Sequence, residues 1–536
     1  MQTALIAINT KYIHPNMAIR LLKANTNHPV DLIEFNHKHS MESMVNFIQE
    51  KDYNVLAFSC YIWNIEIIKE LIDNLKDYIN NKNITVILGG PEVSYNAEYY
   101  IKNYYADFVI KNEGEEAFDL LLSHLIGKIE LTSVPNLYHK DGFTFDKLVD
   151  IKNSKMAYDL LDDVSNKIVY IETSRGCPYH CGYCMASLDN KLRFFDIEEI
   201  KRQILILIER GAKVFKFLDR TFNAHKKNFI SLLDFIILHH KEGNSFQFEI
   251  TGDLLDDDVI DYINKHAPRK LFRFEIGIQS TNVLANRAVY RIQNNEKLFH
   301  NIRLIQDADI IDLHLDLIAG LPYEDYDSFV NTFNEVISLR PKELQLGFLK
   351  LLKGTKLYQE KERYGYKFNT KAPYDIICND FMSEADIEKI HVAEEALDIF
   401  YNKKYFKDAI NHLLDNTNNQ LELFYEIGNS FNNTTNIMER FKFLDLFVKN
   451  NYPNCYDEFH KKLILDYISF IPYKPAAWWS ENITPKDRND LLRKYHEAGL
   501  LKYDLKSLFK YTLVIPLKSI TLVIYYKDNN KEIYTL

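Results

Sequence analysis

Cys177, Cys181 and Cys184 stand in a CxxxCxxC spacing within I-E-T-S-R-G-C-P-Y-H-C-G-Y-C-M-A-S, residues 171–187. The apolar run at 167–172 precedes them, so three thiols sit on a loop at the end of an expected strand. Such a loop is a metal site. Structural zinc wants four closed ligands, commonly as two spaced Cys/His pairs, and no fourth Cys or suitably spaced His follows within several dozen residues. His180 lies between two of the cysteines, where it would compete with their geometry. Three thiolates on one short loop suit a four-iron four-sulfur cluster with one iron left open for a small molecule.

The elements that must carry this loop alternate in type. After it come a helix over 197–210, with Ile200, Ile204, Leu207 and Ile208 on one face, and strands at 213–219, 246–251, 271–279, 312–318 and 343–349. Six strand–helix repeats predict a partial (β/α)6 barrel with its chemistry at the strand C-termini. Those ends carry Asp219, Arg220, Thr221 and Asn223, then Glu249 and Asp253, then Glu275, Gln279 and Ser280, then Asp316, Gly320 and Pro322, with Arg291 in between. Ahead of the loop, short apolar runs at 3–9, 30–36, 55–61, 85–91 and 108–112 alternate with helical stretches. They predict an open parallel sheet that binds ligands in the loops 10–16, 60–64, 89–94 and 112–116. Gly89-Gly90-Pro91 and Glu113-Gly114-Glu115 each allow a ligand to approach the backbone closely.

With Tyr183 just before the last Cys, the loop resembles the signature of radical S-adenosylmethionine (radical SAM) enzymes. G-I-Q-S and D-L-I-A-G-L-P look like the barrel core of oxygen-independent coproporphyrinogen oxidases, methylthiotransferases and their relatives. The first sheet, placed before such a motif, resembles the cobalamin-binding domain of the cobalamin-dependent branch. This resemblance implies a [4Fe-4S] cluster on the three cysteines and S-adenosylmethionine held by Thr221, Gln279, Arg291 and Asp316. It further implies cobalamin lined by Tyr12, His14, Tyr61, Gly89, Gly90, Pro91, Glu113 and Gly114. The chain departs from the better-known cobalamin pattern in having no D-x-H-x-x-G; His14, in Y-I-H-P-N, does not match that spacing. The implied activity is cleavage of S-adenosylmethionine to a 5′-deoxyadenosyl radical and methylation of an unactivated carbon. The alternatives are a cobalamin-assisted rearrangement or cyclisation without methyl transfer, and a non-catalytic corrin or redox sensor. No residue is given a catalytic acid, base or nucleophile role. Arg175 and Arg220 admit two readings, balancing the cluster's charge or pairing on the surface.

The fold class that follows is α/β: a doubly wound, Rossmann-like cobalamin-binding domain over 1–128, a linker over 129–164, a radical SAM partial barrel over 165–365, and a mostly helical C-terminal domain with terminal β strands over 366–536. That last region is expected to shape or cap the substrate site, with strands at 511–516 and 519–526 and a tight turn at 528–530. With 536 residues and 46% hydrophobic content the chain can bury several cores. No window of eighteen apolar residues occurs, and the start M-Q-T-A-L-I-A-I-N-T lacks a basic flank and a cleavage site, so a cytoplasmic protein without membrane association is expected. A formal net charge of −10 counts against nucleic acid. The expected partners are a small-molecule or other unknown substrate and a one-electron donor such as flavodoxin or ferredoxin. Six cysteines, three in one loop, are no disulfide framework. Cys378 and Cys455 are isolated, which leaves no auxiliary cluster, and Cys60 alone in the first domain counts against sulfur insertion. Trp478 and Trp479 are expected to pack in a core.

Overall fold

The run T-A-L-I-A-I-N buries its first six residues, as a central strand covered on both faces must. This strand, β1 (Thr3–Asn9), pairs in parallel with β2 (Val30–Asn36) and β3 (Val55–Ser59). Beyond β3 follow β4 (Thr85–Gly89) and β5 (Phe108–Ile110), also parallel. The structure is a computed structural model describing residues 1–103, 105–471, 478–479, 483–516, 520–525 and 531–535. It comprises two units, Met1–Ile387 and Glu388–Leu536.

The first sheet runs β2-β1-β3-β4-β5-β6-β7, its last two members being β6 (Leu137–His139) and β7 (Gly142–Phe143), both antiparallel. The segment 129–164, read from the sequence as a linker, thus extends the sheet. In this order the connections reverse between β1 and β3, which opens a crevice at the strand C-termini. Strands β3, β4 and β5 stop about two residues short of their expected ends. The chain turns there into helices, with Gly90 at φ +116°, Pro91 opening a helical turn and Asn112 at φ +59°.

The barrel opens with β8 (Ile168–Ile171), followed by the two-residue strands β9 (Ser174–Arg175) and β10 (Arg193–Phe194), which pair at the base of the cysteine loop. Its remaining strands are β11 (Val214–Phe217), β12 (Ser245–Ile250), β13 (Phe272–Gln279), β14 (Asp312–Ala319) and β15 (Glu343–Phe348). All six barrel strands are parallel and adjacent in sequence order, the expected partial (β/α)6 arrangement. Phe215, Phe217, Phe246, Phe248, Phe272 and Phe274 are fully buried on the helix side, where Phe229 of helix Lys226–His239 packs 6.4 Å from Phe274. The opposite positions are polar. Lys216 and Gln247 both reach Glu275, at 3.4 and 2.5 Å, and Arg273 donates to His314 Nδ1 and Glu343 at 2.7 Å. Period-two alternation therefore gives the barrel an aromatic jacket and a polar lumen.

The carboxyl of Glu324, fully buried beyond β14, accepts from Ser280 (2.5 Å) and Thr332 (3.0 Å), tying the end of β13 to the turn after β14. Its second oxygen, Oε2, is buried without a partner. Burial pushes its pKa from 4.5 to about 7, against the pull of those two hydroxyls. A carboxyl that prefers its proton in the fold destabilises the fold progressively as pH rises from the unfolded value to the folded one. Stability of the wild type is therefore expected to fall by about 3 kcal/mol between pH 4.5 and 7 through this group and then level off. Glu324→Gln should remove that component, and urea unfolding at pH 5 and pH 8 measures it.

The hairpin of β16 (Lys367–Phe368) and β17 (Ile376–Cys378) belongs to the first unit, with Tyr366 and Asn379 both donating to Gly320 O at 3.0 Å. The second unit is mostly helical, from Lys407–Asp415 to Leu505–Tyr511, and ends in an antiparallel sheet of β18 (Thr512–Pro516), β19 (Ile520–Tyr525) and β20 (Lys531–Thr535). The expected turn at 528–530 and the outer residues of the expected strand at 519–526 lie outside the described residues. Trp478 and Trp479 pack edge to face at 4.7 Å beside Phe441 and Tyr467, the core role expected of them. No helix among the described residues is long and apolar enough to cross a membrane.

Candidate cofactor site

The cysteine loop is closed at its stem by the β9–β10 pair and pinned along its length by backbone bonds. Cys177 N donates to Asp189 O (3.0 Å), Gly182 N to Val289 O (2.8 Å), and Leu357 N to Gly182 O (2.8 Å). Gly176, at φ +86°, has no room for a side chain: a Cβ would lie 2.6 Å from Lys191 O. Asp219, at the end of β11, accepts from Thr173 N (3.0 Å), Thr173 Oγ1 and Ser174 Oγ (both 2.5 Å), anchoring the residues that lead into the loop. Cys177 and Cys181 are buried, Cys184 is half-buried, and none is in a disulfide. Among the described residues no three His, Cys, Asp or Glu side chains converge closely enough for one metal ion. Sulfurs on a single tetrahedral zinc would lie within about 4 Å of one another. Three thiols with no fourth Cys in the loop are the donor set of a four-iron cluster with one iron open.

The four residues expected around S-adenosylmethionine gather beside this loop. Thr221 Oγ1 lies 3.7 Å from Cys177 Sγ. Arg291, half-buried after β13, reaches Cys181 Sγ at 3.9 Å, Tyr183 OH at 3.4 Å and the carbonyl of Gly277. Gln279, at φ +66°, folds over Gly277 so closely that a Cβ there would meet its Nε2 at 2.2 Å, and its Oε1 is buried without a partner. Asp316 is the strand neighbour of Gly277 and lies 3.0 Å from His314 Nε2. An amide oxygen awaiting a donor, a carboxylate and a guanidinium thus face one small region, the donor set a zwitterionic sulfonium ligand requires.

In the first sheet, Tyr61, Gly89, Gly90, Pro91, Glu113 and Gly114 line one cavity of about 220 Å³, together with apolar Leu5, Ile19, Leu22, Ala57, Ile87, Ile110 and Phe118. Pockets that enclose a whole drug-sized ligand measure roughly 300–1,000 Å³. At this size, and with this mostly apolar lining, it has room for only part of a larger ligand. Tyr12 and His14 lie elsewhere. Tyr12 is 63% exposed, with Lys167 Nζ 5.1 Å over its ring, and His14 bonds Tyr170 OH of β8 at 2.6 Å while Ile13 O accepts from Ile168 N. Their loop packs against the barrel's edge strand. Burial, then Lys11 and Lys216, depress the His14 pKa. Gly90 also has a purely structural duty, since a Cβ on it would lie 2.4 Å from Cys60 O. Gly90→Ala is expected to cost of order 3 kcal/mol from the forced backbone region and this clash; chemical denaturation of the cofactor-free protein measures it. Cys60 is fully buried, its thiol pushed up by burial, and is a core residue.

Glu113 is an anchor rather than a free ligand. Its carboxylate accepts from Arg193 (2.8 and 3.0 Å), Arg175 (3.2 Å) and Val149 N (2.9 Å). Arg175 also binds Glu115 (2.6 Å) and both oxygens of Glu172 (2.9 and 3.0 Å). Arg175 does not pair on the surface: its side chain, 10% exposed, lies among three carboxylates. Burial raises the Glu172 pKa despite Arg175, whereas Arg193 and Arg175 overcome burial to lower that of Glu113. Arg220 has a 58% exposed side chain 3.8 Å from Glu249. Sequence reasoning missed this junction; its only trace is the basic residue in T-S-R-G-C and the acidic pair in E-G-E.

These features define a barrel of the radical SAM class behind a corrin-binding type of sheet. Residues 171–336 match the family model described as the radical SAM superfamily, and residues 3–122 match the B12 binding domain. Residues 362–519 match a family described as a protein of unknown function, DUF4080. The chain belongs to the cobalamin-binding-domain radical SAM enzymes, and these domains imply a [4Fe-4S] cluster, S-adenosylmethionine and cobalamin as cofactors. Among curated proteins it is similar to the cobalamin-dependent radical SAM methyltransferase TokK of Streptomyces tokunonensis, at 24% identity over 62% of this chain and 52% of that one. The chain thus matches about half the length of this relative. In fold it is similar to the cobalamin-dependent S-adenosylmethionine radical enzyme OxsB with aqua-cobalamin and S-adenosylmethionine bound, with a TM-score of 0.62 at 14% identity over 95% of this chain and 83% of that one. It is likewise similar to the radical S-adenosylmethionine methyltransferase TsrM of Kitasatospora setae, with a TM-score of 0.55 at 13% identity over 69% and 78%.

Proposed function

We propose that the protein is a cobalamin-dependent radical SAM methyltransferase that methylates an unactivated carbon of a substrate held over the barrel's C-terminal mouth. The observation that carries this reading is the shared wall of the two cofactor regions: Glu113, Gly114, Glu115 and Arg175 line the first-domain cavity, and Arg175 is two residues from Cys177. The name of the relative TokK supports it. When bound, the cluster supplies the electron that cleaves S-adenosylmethionine and the corrinoid supplies a methyl carrier.

The chain's own part is positioning and exclusion of water. Cys177, Cys181 and Cys184 would hold the cluster as thiolates, with the positive charge of Arg291 3.9 Å from Cys181 Sγ. Thr221, Gln279, Arg291 and Asp316 hold S-adenosylmethionine, with Asp316 oriented by His314. The cavity lined by Gly89, Gly90 and Gly114 would hold part of the corrinoid. The partners are an unidentified, small-molecule or other, substrate and a flavodoxin- or ferredoxin-type donor.

The test incubates anaerobic, cluster-loaded protein with hydroxocobalamin, a reductant, methyl-labelled S-adenosylmethionine and fractionated small molecules from a cell extract. Label carried into a product, with 5′-deoxyadenosine and S-adenosylhomocysteine formed alongside, is the expected result. Deoxyadenosine with an unlabelled altered product would replace methyl transfer with rearrangement or cyclisation. Absence of deoxyadenosine under every condition would leave a sensor.

A further inference from the structure

The two strands that close the cysteine loop put their arginines side by side, because Arg175 of β9 pairs in register with Arg193 of β10. Both guanidiniums point to one turn of the first domain, Glu113-Gly114-Glu115. Arg193 holds both oxygens of Glu113, while Arg175 bridges Glu113, Glu115 and Glu172. Four of the charged groups here expose little side chain, 10% for Arg175, 12% for Arg193, 14% for Glu113 and 7% for Glu115, while Glu172 at 24% and Asp189 at 35% sit nearer solvent. The turn has no slack on its other side: a Cβ on Gly114 would meet Leu22 at 3.2 Å and Ile110 at 3.6 Å, two residues that line the cavity. One set of atoms is therefore both the wall of the corrinoid cavity and the clamp on the two stems of the cluster loop.

We propose that Arg175 and Arg193 are positioning residues that couple the two cofactor sites, so that filling the first-domain cavity and assembling the cluster each favour the other. The inference rests on the reading that the cavity holds cobalamin. A group seated in the cavity fixes the Glu113–Glu115 turn, and that turn fixes both arginines only when their strands are paired. Pairing of β9 with β10 in turn sets the span between Cys177 and Cys184. Coupling of this kind is reciprocal by thermodynamic necessity. Buried multidentate Arg–carboxylate contacts have discrete geometry, so the turn and the loop stem share two states rather than a continuum.

The experiment is an anaerobic absorbance titration of the full chain with hydroxocobalamin, once cluster-free and once after iron and sulfide reconstitution. A mirror measurement takes iron bound per chain with and without hydroxocobalamin. The expected result is at least a 5-fold tighter Kd in the cluster-bearing protein and a matching gain in iron retention against a chelator. Arg193→Gln leaves Glu113 paired with Arg175, and it should bring the two Kd values to within 2-fold while cobalamin still binds. A merely structural role would weaken both forms equally and leave the ratio unchanged. Equal Kd values in the wild type would overturn the coupling alone, and absence of binding to either form would overturn it together with the cobalamin reading.

Discussion

Cys181→Ala is expected to leave the reconstituted protein with less than about a tenth of the wild-type iron and without measurable 5′-deoxyadenosine formation. The loop offers three thiols, and the barrel supplies no fourth residue that could replace one. His180 is the nearest nitrogen donor in sequence, but it is exposed whereas Cys177 and Cys181 are buried. Removing Cys181 also deprives Arg291 of the sulfur 3.9 Å from its guanidinium, leaving a half-buried cation with Tyr183, Gln293 and a backbone carbonyl as its hydrogen-bond partners among the described residues. Electron paramagnetic resonance and iron analysis on the same sample separate loss of the cluster from loss of reactivity. A variant that kept its full iron complement would show that the three cysteines are not the ligand set. The same loss is expected for Cys177→Ala, whose thiol lies against Thr221.

The second large effect belongs to Arg175→Met, which removes one positive charge from among three carboxylates, one buried and two half-buried. Breaking a buried ion pair by deleting one partner costs about 3–5 kcal/mol, since the other charge stays behind without compensation. Glu113 retains Arg193, but Glu115 and Glu172 lose their only guanidinium contacts among those described. Urea unfolding of the cofactor-free first unit within the full chain should register a loss in this range. Arg175→Lys keeps the charge but offers a point donor where five N–H groups in a fork are used, so it should recover less than half of the loss. A change under 1 kcal/mol for the Met variant would mean that the junction is far more hydrated than its burial indicates.

Much of the fold is legible in the residues because the relevant strands are buried on at least one face. T-A-L-I-A-I-N and F-R-F-E-I-G-I-Q announce β1 and β13 by continuous and alternating apolar character, and their order by itself dictates parallel sheets. What escapes is set by contacts distant in sequence. Strands β6 and β7 hold three and two residues, too few for any period to register. Gly90 reads as a ligand-facing glycine, and it does line the cavity, yet the backbone that forces it is Cys60, thirty positions earlier. Glu113 reads as a cofactor neighbour, but its charge is committed to arginines 62 and 80 residues away. His14 stands in a loop that the sheet topology aims at a ligand, and its bond to Tyr170 of the barrel's edge strand has no trace in the sequence. The cysteine loop was legible because its spacing alone fixes its chemistry. The residues around it are spread over β11, β13 and β14, and only folding brings them to Gly277 and Cys177.

The central claim is that one chain holds a cluster and a corrinoid together, and co-elution tests it most directly. The protein is purified anaerobically, reconstituted with iron and sulfide, mixed with hydroxocobalamin and passed over a sizing column. The account predicts a visible spectrum in which corrin and cluster leave the column together at one corrin per cluster-bearing chain. Cluster without corrin would contradict it and would leave a radical SAM enzyme whose first domain serves another purpose.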